Sequence, residues 1–371
     1  MSTHGPIAIL DASPTIARGF SARVTELIPG TNDHDGRVGK FADSETKIEI
    51  KKHIRGHDAY IFQSHMPPVG ERIYELLHMT NACKNGKSER ITAVLPYCFG
   101  QRGERPTRAR ESVAAAVVAK ALKAEGVDKA LFCGLHAEVI QTIFDVRGIE
   151  PEHLEFEPLA ANYFLNVAKR EGYKHVVFGS PDVGGAKRAR NLRKIAMLQK
   201  DFDLQSRIAI ADKYRYEDDQ VTVEELVGDV KKKPVMLYDD IGDTLGTIKG
   251  AVDLYAKHGA GPIHVLLIHP VFGNGFESRL EALAAHPSVA EIVFSNSIPI
   301  HPLALSLDKV KYVPLEPFFA EAIKRLNSDT SLSDLHDYKK IIGIYQEYTK
   351  RKESGALATD PEREKKEIKI Y

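Results

Sequence analysis

The sequence predicts an α/β fold with two domains, each a mostly parallel sheet flanked by helices. Short apolar runs alternate with longer amphipathic segments over most of the 371 residues. Strands separated by helices of about 10–15 residues are typical of βαβ units, which place their strands parallel. The chain is also longer than a usual single domain, which favours two. The apolar runs predicted to be strands are 7–10, 59–63, 91–95, 130–133, 175–178, 207–210, 235–237, 264–268 and 291–294.

Helical patterns lie between these strands. They occupy residues 112–124, 158–171 and 247–258. Nine strands exceed what one doubly wound sheet holds comfortably, and we expect the crossover at the acid-rich stretch 150–157. We therefore predict domains at 1–158 and 159–326, followed by a C-terminal extension at 327–371. The extension carries a mixed-sign run at 362–367, which predicts a solvated helix and a frayed terminus; a docking or oligomerisation segment is the alternative.

The charge balance excludes a general surface for nucleic acid or membrane. Lys plus Arg number 51 and Asp plus Glu also number 51, so any bound anion must be held locally. Cys83, Cys98 and Cys133 lack the spacing of a disulfide framework or a zinc site, which suits a reducing compartment. No apolar run approaches the roughly 18–20 residues that span a bilayer, and the first residues lack the features of a secretion signal. We expect a cytoplasmic protein.

The strongest chemical signal is the segment 235–247, VMLYDDIGDTLGT, in which an apolar strand leads into a helix through small and hydroxyl residues. Ligands of open α/β sheets bind beyond the carboxyl ends of the strands, and a helix N-terminus offers free N–H groups to phosphate. Thr244 and Thr247 add hydroxyl donors, while Gly246 lets the backbone approach an anion. The segment therefore predicts a phosphate site.

Asp239 and Asp240 stand at the end of the same predicted strand. A bare phosphate cradle needs no acids there, whereas two carboxylates suit the two hydroxyls of a ribose, directly or through Mg²⁺. The alternative is a helix cap with incidental acids. The whole pattern resembles the phosphoribosyl-pyrophosphate binding loop of the type I phosphoribosyltransferase fold.

Two further strand ends carry residue types that bind metals. His136 lies in the segment 134–145, GLHAEVIQTIFD, and Asp182 lies in the segment 178–188, FGSPDVGGAKR, on a glycine-flanked turn. A lone histidine is more often a packed core residue. One imidazole and one carboxylate nevertheless suit Mg²⁺, which keeps several waters and takes further oxygens from nucleotide phosphates.

A fourth segment, 41–50, FADSETKIEI, precedes the second predicted strand. In this order and spacing, the four segments resemble the ribose-phosphate diphosphokinase family, also called the phosphoribosyl-pyrophosphate synthetases, from about residue 5 to about residue 325. The resemblance implies two phosphoribosyltransferase-like domains. It also implies that Phe41, Asp43 and Glu45 contact the adenine of ATP, where the residues alone would allow a surface loop with one exposed ring.

The resemblance assigns roles to the other segments. His136 and Asp182 are expected to hold Mg²⁺ on the ATP triphosphate. The residues expected to bind the ribose and phosphate of the acceptor are Asp239, Asp240, Asp243, Thr244, Gly246 and Thr247.

Lys213 and Arg215 match a Lys-x-Arg pair that, in the resembling family, lies on a mobile loop closing over the ATP phosphates. By composition alone, residues 212–220 would be a solvated turn. The resemblance implies a catalytic role for both cations, because neutralising charge on the transferred group supplies most of the rate in phosphoryl transfer.

Arg102 matches an ATP-contacting arginine of the same family, but its surroundings depart from the family pattern. Gly103 stands where the family has Gln, and Gly134 stands where it usually has Asp before the Leu-His pair. Loss of that acid is expected to weaken a second metal site or the orientation of His136.

These assignments predict an Mg²⁺-dependent enzyme that transfers the pyrophosphoryl group of ATP to ribose 5-phosphate. One alternative is the same reaction on ADP-ribose. A second is a non-catalytic regulatory subunit, which would not need Lys213, Arg215, His136 or Asp182. A third is a phosphoribosyltransferase, which would need neither the adenine segment nor the Lys-x-Arg pair. The resemblance further implies a homodimer or hexamer.

Overall fold

The computed structural model describes residues 3–13, 19–33, 35–199, 204–215, 222–358 and 365–370. The chain divides into two compact units. Unit 1 contains the described residues of Met1–Glu155, Ser297–Pro299 and Leu315–His336. Unit 2 contains those of Phe156–Asn296, Ile300–Pro314 and Asp337–Tyr371.

Strands and helices alternate along most of the chain. The strands are β1 (Ile7–Asp11), β2 (Asn32–Asp33), β3 (Gly36–Lys40), β4 (Thr46–Ile50), β5 (Asp58–Phe62), β6 (Arg90–Leu95), β7 (Lys129–Cys133), β8 (Glu150–Leu154), β9 (His175–Ser180), β10 (Gln205–Arg215), β11 (Thr222–Val227), β12 (Val235–Gly242), β13 (Ile263–Pro270), β14 (Val289–Ser295) and β15 (Val310–Val313). The helices are α1 (Gly19–Leu27), α2 (Val69–Asn85), α3 (Ala114–Glu125), α4 (Val139–Asp145), α5 (Glu157–Glu171), α6 (Ala186–Met197), α7 (Gly246–Lys257), α8 (Phe276–Ala285), α9 (Pro302–Ser306), α10 (Glu316–Asn327) and α11 (Tyr338–Glu353).

Unit 1 is built on a parallel sheet that, within the described residues, has six strands in the order β2-β1-β5-β6-β7-β8. The central strands β5 and β6 are buried along their whole length, and after the charged residue at the start of each they are mainly apolar, which makes them visible in the sequence as short apolar runs. A separate antiparallel hairpin, β3–β4, packs against α2.

Unit 2 is built on a second sheet, in which the described strands follow the order β11-β10-β9-β12-β13-β14-β15. All neighbours are parallel except β10 and β11, which form an antiparallel pair. Strand β12 lies between β9 and β13, which buries its apolar residues and brings its carboxyl end beside that of β9.

The predicted α/β class with two mostly parallel sheets is confirmed. Each of the nine predicted strands lies within an observed strand or overruns it by one residue, although β10 and β12 extend up to five residues beyond their predicted ends, and the three predicted helices are α3, α5 and α7. The stretch 150–157 is not only a crossover, because it contains β8. Strand β8 is the edge strand beside β7, and an edge tolerates the charged residues that made this segment look irregular.

The division of the chain differs from the predicted domains near residue 320. Residues 315–336 follow the second sheet in sequence but belong to unit 1. The cause is packing of α10 against α1, in which Phe319 meets Phe20 edge-on with ring centroids 5.5 Å apart. The predicted segment 159–326 therefore includes a helix of unit 1.

The C-terminal extension is more integrated than predicted. Helix α11 buries Ile341, Ile342, Tyr345 and Tyr348 and packs against α5, so one face of this helix is not solvated. Near the end of the chain, Tyr312 of β15 exchanges backbone hydrogen bonds with Lys366 and Ile368. The mixed-sign run falls partly on residues 362–364, which lie outside the described residues. Within the part of the chain that is described, no helix is long and apolar enough to cross a membrane.

Candidate active site

Two acids are buried at the carboxyl end of β12. Asp239 is 6% exposed and Asp240 is 3% exposed. Each Oδ1 accepts a backbone hydrogen bond from the following residue, at 3.0 Å from Asp240 N and 2.9 Å from Ile241 N. These bonds fix both carboxylates at the strand end where ligands of parallel sheets bind.

Arg188, on α6, joins the two acids. Its Nη2 donates to Asp239 Oδ1 at 3.0 Å and to Asp240 Oδ1 at 2.9 Å. Burial, and then the charge of Asp240, raise the pKa of Asp239 to about 8, against the opposing effect of Arg188. The buried pair is therefore harder to ionise fully than two separate carboxyls, because burial and the charge of Asp240 both favour the protonated form of Asp239.

The sequence reasoning missed Arg188. The available signal was its place six residues after Asp182, inside a segment already singled out, on the helix that follows β9. Only the pairing of β9 with β12 brings that helix to the acids.

The loop between β12 and α7 leaves a helix N-terminus without a side-chain cap. The residue before the helix is Leu245, with φ +59°, a left-handed conformation that is strained for a branched side chain. Its side chain is 3% exposed and belongs to the core of unit 2, which holds the strain in place. Since leucine cannot accept from the first-turn N–H groups, those groups are suited to an anion. Thr244 is half-buried beside this turn and Thr247 is exposed.

The same loop is braced by residues 271–273. Val271 N donates to Gly242 O at 2.9 Å, and Gly273 N donates to Asp243 O at 3.1 Å. A Cβ at residue 273 would collide with Asp243 Oδ1, so a larger residue there would displace the Asp243 side chain from this position. Sequence reasoning missed Gly273, because its partner is distant in sequence.

Asp182 organises the turn between β9 and α6. Its Oδ1 accepts from Gly185 N at 2.8 Å, and its carbonyl oxygen accepts from Ser180 Oγ at 2.7 Å. A Cβ at Gly185 would collide with Ser180 Oγ, which explains the second glycine of this turn. Asp182 also contributes to the raised pKa of Asp239, so the two strand ends share one electrostatic environment.

His136 lies on a turn after β7 in unit 1. Gly134 has φ +56°, which glycine adopts readily. Leu135 N donates to His153 Nε2 at 3.0 Å, and His136 N donates to Gln101 Oε1 at 3.0 Å. Burial lowers the pKa of His153 to about 4, which leaves its ring neutral and able to accept at pH 7.

The predicted adenine segment is the turn of the β3–β4 hairpin. The Phe41 side chain is 52% exposed, with Lys47 Nζ 5.5 Å from the ring centroid. The turn is closed by Phe41 N donating to Glu45 O at 2.9 Å and by Glu45 N donating to Asp43 Oδ1 at 3.0 Å. This arrangement presents an aromatic face in a fixed turn.

Arg102 is exposed on the loop before α3. The adjacent departure from the family pattern has a packing reason: a Cβ on Gly103 would lie 2.9 Å from Ala114 Cβ, at the start of α3. A glutamine therefore has no room at this position without a shift of the helix.

The backbone of Lys213 and Arg215 lies in β10, opposite Glu224 and Thr222 of β11. The prediction of a loop is wrong for these two residues, because the antiparallel pairing continues β10 beyond the predicted strand 207–210. Their side chains and residues 216–220 lie outside what the structure describes.

The predicted residues thus form two groups. Unit 2 brings Asp182 together with the Asp239–Asp240 pair and the loop before α7, at neighbouring strand ends. Unit 1 carries Phe41, Arg102 and His136. Among the described residues, no three His, Cys, Asp or Glu side chains cluster as a metal site.

Comparisons with known proteins identify the family. The sequence model for the N-terminal domain of ribose phosphate pyrophosphokinase matches residues 8–126, and that of the phosphoribosyl synthetase-associated domain matches residues 200–337. The ribose-phosphate pyrophosphokinase of Clostridium acetobutylicum is 36% identical over 316 residues, which cover 85% of this chain and 93% of the relative. That of Haemophilus ducreyi is 33% identical over 88% of this chain and 97% of the relative.

A solved structure agrees with this assignment. The crystal structure of phosphoribosylpyrophosphate synthetase from Mycobacterium smegmatis superposes with a TM-score of 0.74 at 27% identity, covering 86% of this chain and 98% of the other. Since both the sequence and the fold match over nearly the whole length of these relatives, the chain belongs to the ribose-phosphate pyrophosphokinase family of enzymes.

Proposed function

We propose that the protein transfers the pyrophosphoryl group of ATP to the anomeric hydroxyl of ribose 5-phosphate. The products are phosphoribosyl pyrophosphate and AMP. The single observation that supports this most is the β12–α7 junction, where two buried acids adjoin an uncapped helix N-terminus. Family membership supports the same reaction, because the curated relatives are named ribose-phosphate pyrophosphokinases.

The β12–α7 junction offers partners both to the phosphate and to the sugar hydroxyls of a ribose phosphate. The first-turn N–H groups of α7, with the hydroxyls of Thr244 and Thr247, would donate to the 5-phosphate. Asp239 and Asp240 would accept from the sugar hydroxyls, and Gly246 lets the backbone approach the anion. Arg188 holds both carboxylates at hydrogen-bond distance, so they are oriented before the sugar arrives.

The nucleotide would be bound mainly by groups of unit 1. Phe41 offers an exposed ring for stacking on adenine, and Asp43 and Glu45 lie on the same turn to accept from its amino group. Arg102, on an exposed loop, would pair with the phosphates.

His136 and Asp182 would hold Mg²⁺ with the triphosphate. One imidazole and one carboxylate fit this ion, which commonly takes few protein ligands and completes its shell with water and substrate phosphates. When bound, it would offset negative charge on the phosphates. One Asp182 oxygen is already fixed by Gly185 N, which orients the carboxylate.

The transfer itself is a displacement at the β-phosphorus. The anomeric oxygen attacks, the bond between the β-phosphorus and its bridging oxygen to the α-phosphorus breaks, and AMP leaves with the electron pair while the hydroxyl proton is released. Lys213 and Arg215 would stabilise the charge that develops on the transferred group.

Release of AMP tests this proposal. The protein, ATP and Mg²⁺ are incubated with ribose 5-phosphate, with ADP-ribose, or with no acceptor, and AMP is followed by ³¹P NMR or chromatography. We expect AMP and phosphoribosyl pyrophosphate with ribose 5-phosphate alone. AMP with ADP-ribose only would reassign the acceptor, and no AMP with either would point to a regulatory subunit.

The proposal extends to assembly and location. We propose a homodimer or hexamer in the cytoplasm, where the three cysteines would stay reduced as the free thiols described. Sedimentation equilibrium and cell fractionation test these two statements.

A further inference from the structure

The turn that carries His136 is held by side chains outside the proposed metal ligands. Three consecutive backbone N–H groups donate to three acceptors, each at 3.0 Å: Gly134 to Leu154 O, Leu135 to His153 Nε2 and His136 to Gln101 Oε1. The acceptors come from β8 and from the loop after β6, so the turn is fixed from two sides.

Gln101 is fully buried and its amide is only half satisfied. The residue is 0% exposed, its Oε1 accepts from His136 N, and its Nε2 has no hydrogen-bond partner among the described residues. A buried amide with an unmatched donor is unfavourable, so an apolar side chain would serve simple packing better. The favourable contact that the Gln101 amide does make is the hydrogen bond from His136 N to its Oε1.

His153 supplies the second side-chain acceptor. Its Nε2 accepts from Leu135 N, so the ring proton lies on Nδ1. The two side chains thus bind the two peptide groups that precede the His136 side chain. Together they restrict the backbone torsions of Leu135 and the direction in which residue 136 leaves the turn.

We infer that Gln101 and His153 are positioning residues for His136, holding its imidazole in the orientation that binds the metal of a metal–triphosphate complex. This inference rests on the proposed function, in which His136 holds that metal. Neither positioning residue needs to contact the nucleotide. Orienting groups of this kind typically change metal affinity about tenfold or more when removed.

The test compares metal-dependent and metal-free nucleotide binding. The probe is Mn²⁺ with α,β-methylene-ATP, which cannot react because a carbon bridge replaces the oxygen at the bond to be broken. Calorimetry measures binding with Mn²⁺ and again with EDTA. In Gln101→Met, which removes the acceptor at similar volume, we expect about tenfold weaker binding with Mn²⁺ and unchanged binding in EDTA.

Thr92→Val is the matched control. Thr92 is fully buried on β6 in the same unit, and its Oγ1 has no hydrogen-bond partner among the described residues. This variant also removes a buried polar group and should leave both affinities unchanged. His153→Gln, which can keep an acceptor, should retain more of the Mn²⁺-dependent affinity than His153→Leu, and this pair serves if Gln101→Met does not fold.

Several results would overturn the inference. Wild-type Mn²⁺-dependent affinity in Gln101→Met and His153→Leu would do so, as would equal losses with Mn²⁺ and with EDTA, which indicate a structural role only. The variant His136→Ala distinguishes failure of the proposed metal role of His136 from failure of the positioning role of Gln101 and His153. If it binds the Mn²⁺ complex like the wild type, then the proposed metal role of His136 fails and the inference with it. If it binds weakly while Gln101→Met does not, only the inference fails.

Discussion

Replacing Asp239 with Asn should stabilise the protein in a pH-dependent way while impairing acceptor use. Burial and the neighbouring Asp240 raise the Asp239 pKa from an ordinary 3.8 to about 8. The folded protein therefore binds more protons than the unfolded chain between about pH 4 and pH 8. The contribution of Asp239 to the free energy of unfolding is largest below pH 4 and falls as the pH rises through that window.

The size of the effect follows from this pKa. One pKa unit corresponds to about 1.4 kcal/mol, which sets a ceiling of about 5 kcal/mol once the pH reaches 8. Asn keeps an Oδ1 that can accept from Arg188 and from Asp240 N, so these contacts need not be lost. Its new Nδ2 donor offsets part of the gain, because it also needs a partner. We expect Asp239→Asn to exceed the wild type by at least about 2 kcal/mol at pH 8 and by little at pH 4.5.

Urea unfolding followed by circular dichroism at pH 4.5, 6, 7 and 8 measures this difference. Asp253→Asn is the control, since Asp253 is exposed on α7 and pairs with Lys249 in solvent. A constant difference between Asp239→Asn and the wild type over this range would refute the reasoning. So would an equal pH response in the control.

Three further variants test the assignments by kinetics. Asp240→Ala should abolish acceptor use but leave ATP binding nearly intact, because this acid serves the ribose; collapse of ATP affinity in calorimetry would contradict the assignment. Lys213→Ala combined with Arg215→Ala should lower kcat by two or more orders of magnitude, about 3 kcal/mol, with a smaller change in KM for the sugar, and near-normal kcat would exclude catalysis by these cations. Phe41→Ala should raise the KM for ATP about tenfold, because one stacking contact is lost. An unchanged KM would contradict the assignment of Phe41 to adenine binding.

The missed elements show where sequence reasoning stops. Strand β8 carries charges that an edge position tolerates, and β11 is visible only through its antiparallel partner β10. The place of α10 in unit 1 depends on its contact with α1, almost 300 residues earlier in the chain. Patterns among neighbouring residues do not reveal contacts between segments that are distant in the sequence.

The sequence alone determined the features that depend on residues close together in the chain. Buried central strands such as β5, β6 and β12 each contain a mostly apolar run, with their charged residues toward one end, so their positions and the two-sheet α/β class are readable from the residues. The chemistry of the segment 235–247 is also local, because acids, hydroxyls and glycines stand within one strand–loop–helix unit. The tertiary structure decided the rest. Arg188 meets Asp239 only because β9 and β12 are neighbours, and Gln101 meets His136 only because the loop after β6 lies beside the turn after β7. These contacts set the charge of the acids and the orientation of the histidine, since both depend on groups that sheet order, and not sequence distance, brings together.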